Sequence, residues 1–288
     1  MRGFCGILFC GKVVFEGSYT MGMTIDFHIH AFNPKIAERA IQTLEKCSGI
    51  EPFTRGLIKQ TVQRMDEWGI DRSVMLPIAT KPSQQVIIND WAAQQDGGRI
   101  ISFGSVHPGA DDAIDELWRI KELGLHGVKL HPDYQGFMIN DPRLDGLLDE
   151  IEKTGLPVIF HAGFDVVSPD LIHCPPKLSL EMIKRHRGLK VILAHLGGND
   201  LWDDVYDVLA GIDGEVYFDT AFTGWKCPDE IMTKIIDKHG AERILFGSDL
   251  PWDSPAVIKQ KILGLKISDD AKEKILGQNA LRLLGFQR

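Results

Sequence analysis

Asp26-Phe27-His28-Ile29-His30 ends an apolar segment that begins at Met23-Thr24-Ile25, and the reading of this stretch decides the fold. Side chains alternate along a β-strand, so a regular strand here points residues 26, 28 and 30 to one face. The two imidazoles then lie about 6–7 Å apart at Cα, near enough for both rings to reach one cation. A His-x-His pair alone is common by chance. Its weight comes from what the chain places at the ends of later strands.

Outward from this segment, short β-branched or apolar runs alternate with longer amphipathic ones. The strand-like runs are Thr24–His30, Arg72–Pro77, Ile100–Val106, Gly127–His131, Pro157–His161, Lys190–His195, Val216–Asp219 and Arg243–Gly247. Helix-like runs separate them at Leu57–Trp68, Gln84–Gln95, Ala113–Leu123, Leu144–Lys153, Leu178–His186, Leu201–Ala210, Asp229–His239 and Ser254–Ile262, and Asp269–Leu284 adds a terminal helix. Ser179 and Asp229 are placed to cap helix starts, and Gly69, Gly124, Gly155, Gly188, Gly211 and Gly240 to end helices. Such strand–helix steps, repeated eight times, predict an α/β fold, a single (β/α)8 TIM barrel with a C-terminal helix. A doubly wound open sheet would carry a Gly-rich nucleotide turn after its first strand; no such turn follows any strand here. The barrel is expected over residues 23–288, and residues 1–22 form an N-terminal extension in which Ile7–Phe9 and Val13–Phe15 suit a hairpin.

In such barrels the chemistry sits at the C-terminal ends of the strands. The first strand ends in His28 and His30, the third runs into His107, the fourth carries Lys129 and His131, the fifth ends at His161, the sixth at His195, and Asp249 follows the eighth. An imidazole at the inner end of an apolar strand is costly unless bonded, so each needs a partner. Together these residues offer a site for one divalent cation, with His28, His30, His161 and Asp249 as ligands. Three imidazoles and a carboxylate suit zinc, with manganese or iron as substitutes.

Over roughly residues 23–286 the chain resembles the amidohydrolase superfamily, in its amidohydrolase-related (amidohydrolase-2) branch. The motifs that carry the resemblance are DFHIH (26–30), GVKLHPDYQGF (127–137), VIFHAGF (158–164), ILAHLGG (192–198) and ILFGSDLPW (244–252). It implies the same four metal ligands, and it makes His195 either a second-metal ligand or a group that orients substrate and water. Lys129 matches the strand-four lysine that, carboxylated, bridges two metals in binuclear members; the unmodified reading, a cation that binds a substrate carboxylate, is preferred. His131, Arg143 and Trp252 are further substrate-binding candidates, and Phe32, Phe137, Phe164, Phe222 and Trp225 are candidate pocket aromatics.

The expected activity is hydrolysis of an amide, lactone or related ester of a small carboxylic acid by metal-activated water, with Asp249 shuttling the proton and His195 polarising the carbonyl. The alternative is nonoxidative decarboxylation, or hydration, of a small unsaturated or aromatic acid, with Lys129 or Arg143 as the carboxylate anchor. A non-catalytic metal-binding barrel is the weakest reading, because an open metal position in a closed pocket serves chemistry.

A net charge of −8 with no basic stripe argues against a nucleic-acid partner. No run approaches the roughly 18–20 apolar residues of a membrane helix. The five cysteines are scattered without a CxxC pair, which fits reduced thiols in a cytoplasmic enzyme. The N-terminal segment and terminal helix are available as surface for a homo-oligomer.

Overall fold

The apolar runs of the sequence become parallel strands in the computed structural model, which describes residues 22–286. They are β1 (Ile25–Ile29), β2 (Arg72–Met75), β3 (Ile100–Ser102), β4 (Val128–Leu130), β5 (Val158–Phe160), β6 (Val191–Leu193), β7 (Val216–Asp219) and β8 (Ile244–Leu245). Three strands pair in the order β1-β2-β3 and five in the order β4-β5-β6-β7-β8. Backbone bonds bridge both seams. Gly104 N–H donates to Gly127 O at 2.8 Å and Lys129 N–H to Gly104 O at 2.8 Å, while Phe27 N–H reaches Phe246 O at 2.7 Å and Asp249 N–H reaches His28 O at 2.8 Å. The two sheets thus run on into one another as a (β/α)8 barrel. The hairpin expected at Ile7–Phe15 lies outside the described residues.

Alternation along the strands sorts the core. Ile25, Phe27, Val74, Ile101, Phe103, Ile159, Ile192 and Leu245 fill the interior, where Phe27 and Phe103 meet edge to face at 5.7 Å. Their neighbours Val128, Leu130, Val158, Phe160, Val191, Leu193 and Phe218 pack outward against the helices. From the C-terminal segment, Ala280, Leu281 and Leu283 join the interior cluster.

β1 is not the regular strand that its sequence predicts. Its register against β2 shifts between Asp26, which pairs with Ser73, and Ile29, which pairs with Met75. The extra residue is a bulge, a device that re-aims side chains near active sites. Phe27 enters the core, and the expectation that residues 26, 28 and 30 share one face fails. Asp26 instead serves the turn after β8, accepting from Ser248 N–H at 2.8 Å and Ser248 Oγ at 2.5 Å.

The helices match their predicted runs to within a residue or two, with informative exceptions. Ala37–Ser48 is a further helix, lying between β1 and the predicted run Leu57–Trp68; it buries only Ala37 and Ile41 and starts at Ile36 with no side-chain cap. Ser179 is internal to the helix Pro176–Arg185 rather than its cap, and Pro228 precedes Asp229 as the cap of Asp229–His239. Gly188 does not terminate its helix, which ends at Arg185. The Leu201–Ala210 run divides into a short α-turn at Trp202–Asp204 and a π-turn at Val205–Leu209, and the terminal helix contains a π-turn at Lys274–Gln278.

Candidate active site

The β1 bulge and the turn after β8 bring three ligand atoms together. His28 Nε2 lies 3.2 Å from His30 Nε2, and Asp249 Oδ1 lies 3.3 Å from the first and 3.1 Å from the second. The outer nitrogens fix the tautomers. His30 Nδ1 donates to Leu76 O at 2.8 Å, because a carbonyl can only accept. His28 Nδ1 donates to Asp219 Oδ2 at 2.7 Å. Burial, and then the charge of Lys129, push the His28 pKa well below its ordinary value, so that ring is neutral.

The bare Nε2 lone pair of His28 and the Asp249 carboxylate oxygen therefore face one another without a proton between them. Such a pair is repulsive unless a cation sits between them. The two ring planes stand at 78°, so their inner nitrogens can converge on one point. Each imidazole is also oriented by an acceptor behind it, the usual support of a metal-bound histidine. The residues present therefore fit a divalent ion.

His161, the expected fourth ligand, stands apart from these three. His195 Nδ1 donates to Ala221 O at 3.1 Å, which leaves its Nε2 to accept from His161 Nδ1 at 2.9 Å. His161 Nε2 is then buried without a partner. It lies 3.7 Å from Asp165 Oδ2 and 4.0 Å from Asp133 Oδ2, and the latter also lacks a partner. His131, His161 and Asp165 could be read as a second metal group. The His131 and His161 rings, however, stack at 4.3 Å with planes only 8° apart, and a metal must lie near the plane of each ring that binds it. Parallel stacked rings cannot aim at one ion.

Lys129 is fully buried on β4, and among the described residues no carboxylate oxygen comes within 4.0 Å of its ammonium. Burial lowers its pKa to about 8 against the opposing pull of Asp219 and Asp249, so it is largely cationic at neutral pH. Trp252 is half-buried beside the turn, its N–H donating to Asp249 O at 2.8 Å. Arg143 does not join the site. Its side chain is 86% exposed and paired with Asp141, because it belongs to the turn that starts Pro142–Leu144. His107 shapes its own loop, accepting from Gly109 N–H at 3.0 Å.

The sequence reading passed over Asp219, although its position as the last residue of the apolar run Val216–Asp219 was a usable signal. Its Oδ1 accepts from His195 N–H at 2.9 Å and Ala221 N–H at 3.0 Å while Oδ2 holds His28, so one carboxylate aligns both histidines. Strain gathers here as well. The five non-glycine residues with left-handed backbone among those described, His195, Leu196, Asp200, Phe222 and Asp249, all follow β6, β7 or β8. Such conformations persist where the surroundings over-determine them, commonly at functional sites.

This barrel, with histidines and an aspartate converging at the strand ends, is that of a metal-site α/β barrel, and the chain belongs to the amidohydrolase family, whose model matches residues 25–286. It is 28% identical over 236 residues to 2-amino-3-carboxymuconate-6-semialdehyde decarboxylase of Dictyostelium discoideum, a match spanning 69% of this chain and 66% of the relative. Among solved structures it is similar to a dihydroxybenzoic acid decarboxylase from a Polaromonas species with bound manganese and the inhibitor 2-nitroresorcinol. The TM-score is 0.71 at 17% identity, covering 93% of this chain and 98% of that one. It also resembles an uncharacterised TIM-barrel protein from Bordetella bronchiseptica, with TM-score 0.74 at 21% identity over 91% and 98% of the two chains.

Proposed function

We propose that this chain is a metal-dependent, nonoxidative decarboxylase of a small unsaturated or aromatic carboxylic acid. The observation that carries the reading is the closure of His28, His30 and Asp249 around one point, in a chain whose curated relative is a decarboxylase. The hydrolase expectation gives way accordingly, since the curated relative and several of the similar solved structures are named as decarboxylases.

His28, His30 and Asp249 would hold the ion, and the partnerless Nε2 of His161 is the atom that supports its proposed role as a further ligand. The ion, when bound, supplies a positive centre that orients the acid and draws electron density from the carbon that loses CO2. Zinc, manganese and iron all suit the donors. Lys129 is the remaining anchor for carboxylate charge now that Arg143 is excluded, and its burial makes that ammonium a strong partner for an anion. Loss of CO2 leaves an electron pair on carbon that a proton must quench. His195, held in place by Asp219 and Ala221, is the group assigned to deliver it; its Nε2 accepts from His161 Nδ1 in the resting site, so it would first take a proton from water and then pass that proton to carbon. The carbonyl-polarising role expected of His195 is replaced by this one.

The substrate partner in this reading is a small carboxylic acid. No helix among the described residues is long and apolar enough to cross a membrane. Cys47, Cys174 and Cys227 are free thiols, which supports the proposed cytoplasmic setting. Metal-loaded protein incubated with hydroxybenzoates, conjugated dienoic acids, lactones and amides separates the two chemistries. CO2 release from the conjugated acids is expected; acid formation from lactones or amides without CO2 would restore the hydrolase.

A further inference from the structure

We propose that Phe222 and Trp225, on the loop after β7, form the wall that selects a flat, conjugated acid over a saturated one; this rests on the decarboxylase reading. The loop begins at the site itself, since Ala221 O takes the N–H of His195. Phe222 follows at once, 7% exposed, with its ring edge to face against His195 at 6.5 Å. Trp225 continues the line edge to face with Phe222 at 5.8 Å, and it is 63% exposed. The three rings make a track from the buried site to solvent.

Two features set this track apart from ordinary surface aromatics. Phe222 has φ of 59°, an outlier for a bulky residue, and its N–H is tied to Ser248 O at 3.2 Å. The loop spends backbone strain to aim that ring at His195. Trp225 is held in water on a loop that is fastened at several points. Gly224 N–H reaches Asp253 Oδ2 at 3.2 Å, Thr223 Oγ1 reaches Thr220 O at 2.6 Å, and Lys261 Nζ reaches Cys227 O at 2.6 Å. Lys226 lies over both rings, 5.1 Å from the centre of Phe222 and 5.3 Å from that of Trp225, and its ammonium pairs with Asp200 at 2.9 Å. A cation seated on two ring faces keeps both in place.

A rigid, exposed aromatic surface leading to a metal site suits a ligand that presents a π-face, because offset and edge-to-face ring contacts reward planarity. Phe222 and Trp225 are thus specificity residues, and Lys226 is a positioning residue.

The test is binding, which is read independently of turnover. Metal-loaded protein is titrated with 2,6-dihydroxybenzoate, benzoate and cyclohexanecarboxylate by calorimetry, for the wild type, Phe222→Leu, Trp225→Ala and Lys226→Met. The wild type is expected to bind the planar acids at least ten-fold tighter than the saturated one. That ratio should fall several-fold in Phe222→Leu and Trp225→Ala while affinity for cyclohexanecarboxylate stays within two-fold, and Lys226→Met should lose part of it. Equal affinity of the wild type for planar and saturated acids, or no binding of any, overturns the proposal, as does an unchanged ratio in both aromatic variants. Selective binding without CO2 release would leave the wall standing and remove the decarboxylase.

Discussion

At the residue scale, the account turns on which nitrogen of each histidine carries its proton. Asp219 and Leu76 O take the outer N–H groups of His28 and His30, and this turns both inner nitrogens toward one point. Asp219→Asn can satisfy either His28 or the two amides of His195 and Ala221, but not both. Chelator competition should therefore show metal affinity reduced by about 10–100-fold with the fold intact. His28→Ala, by contrast, should abolish stoichiometric metal. Asp249→Asn should lose turnover more than metal, because a neutral amide still offers an oxygen; full activity in that variant would remove Asp249 from the chemistry. The proposed ligands were legible in the sequence as residue types at strand ends. Asp219 was legible only as an aspartate closing a strand, a position that does not tell whether the carboxylate meets solvent or an imidazole on a strand far away in sequence.

At the element scale, the strands were legible as short apolar runs buried on both faces, and most helices because each buries one predictable face. The bulge in β1 was not, since it answers to pairing with β2 rather than to any residue in the run. The Ala37–Ser48 helix was missed for the opposite reason, as it buries too little to leave a clear apolar stripe. The helix Asp229–His239 carries a pH-dependent contact. His239 Nε2 donates to Val216 O at 3.0 Å, its Nδ1 accepts from Gly211 N–H at 3.3 Å, and its ring stacks on Phe218 at 3.9 Å. Burial, and secondarily the charge of Arg243, lower its pKa to about 3. The unfolded chain, with an ordinary imidazole near 6.5, binds the proton more readily at every pH between those values. This group thus costs nothing above about pH 6.5, and it removes about 1.4 kcal/mol of stability per unit as pH falls below that. Urea unfolding at pH 7 and pH 5 should show a smaller acid loss in His239→Gln than in the wild type. An equal loss would refute the assignment.

At the scale of the whole molecule, a closed ring of strands brings residues more than two hundred positions apart, His28 and Asp249, into one cluster that could hold an ion. Closure also depends on the chain's far end, where Gly277 lies against the entry to β1 so tightly that a Cβ would meet Met23 O at 1.8 Å. Gly277→Ala should destabilise the barrel by about 1–3 kcal/mol, read as a lower unfolding midpoint. Because the proposed ligands come from both ends of the chain, metal binding is expected to be coupled to folding. Metal at about a hundred times its dissociation constant should add roughly 2.7 kcal/mol, seen as a higher melting temperature that is absent in His28→Ala. The alternation of strands and helices made the barrel legible, but the choice between hydrolysis and decarboxylation was not. Both chemistries use the same ligands, and the decision lies in what the loops present to the substrate. The most direct measurement is anomalous diffraction from crystals grown with manganese. The account predicts one ion in contact with His28 Nε2, His30 Nε2 and the Asp249 carboxylate; an ion seated instead between His131 and Asp165, or no ion among these residues, would contradict it.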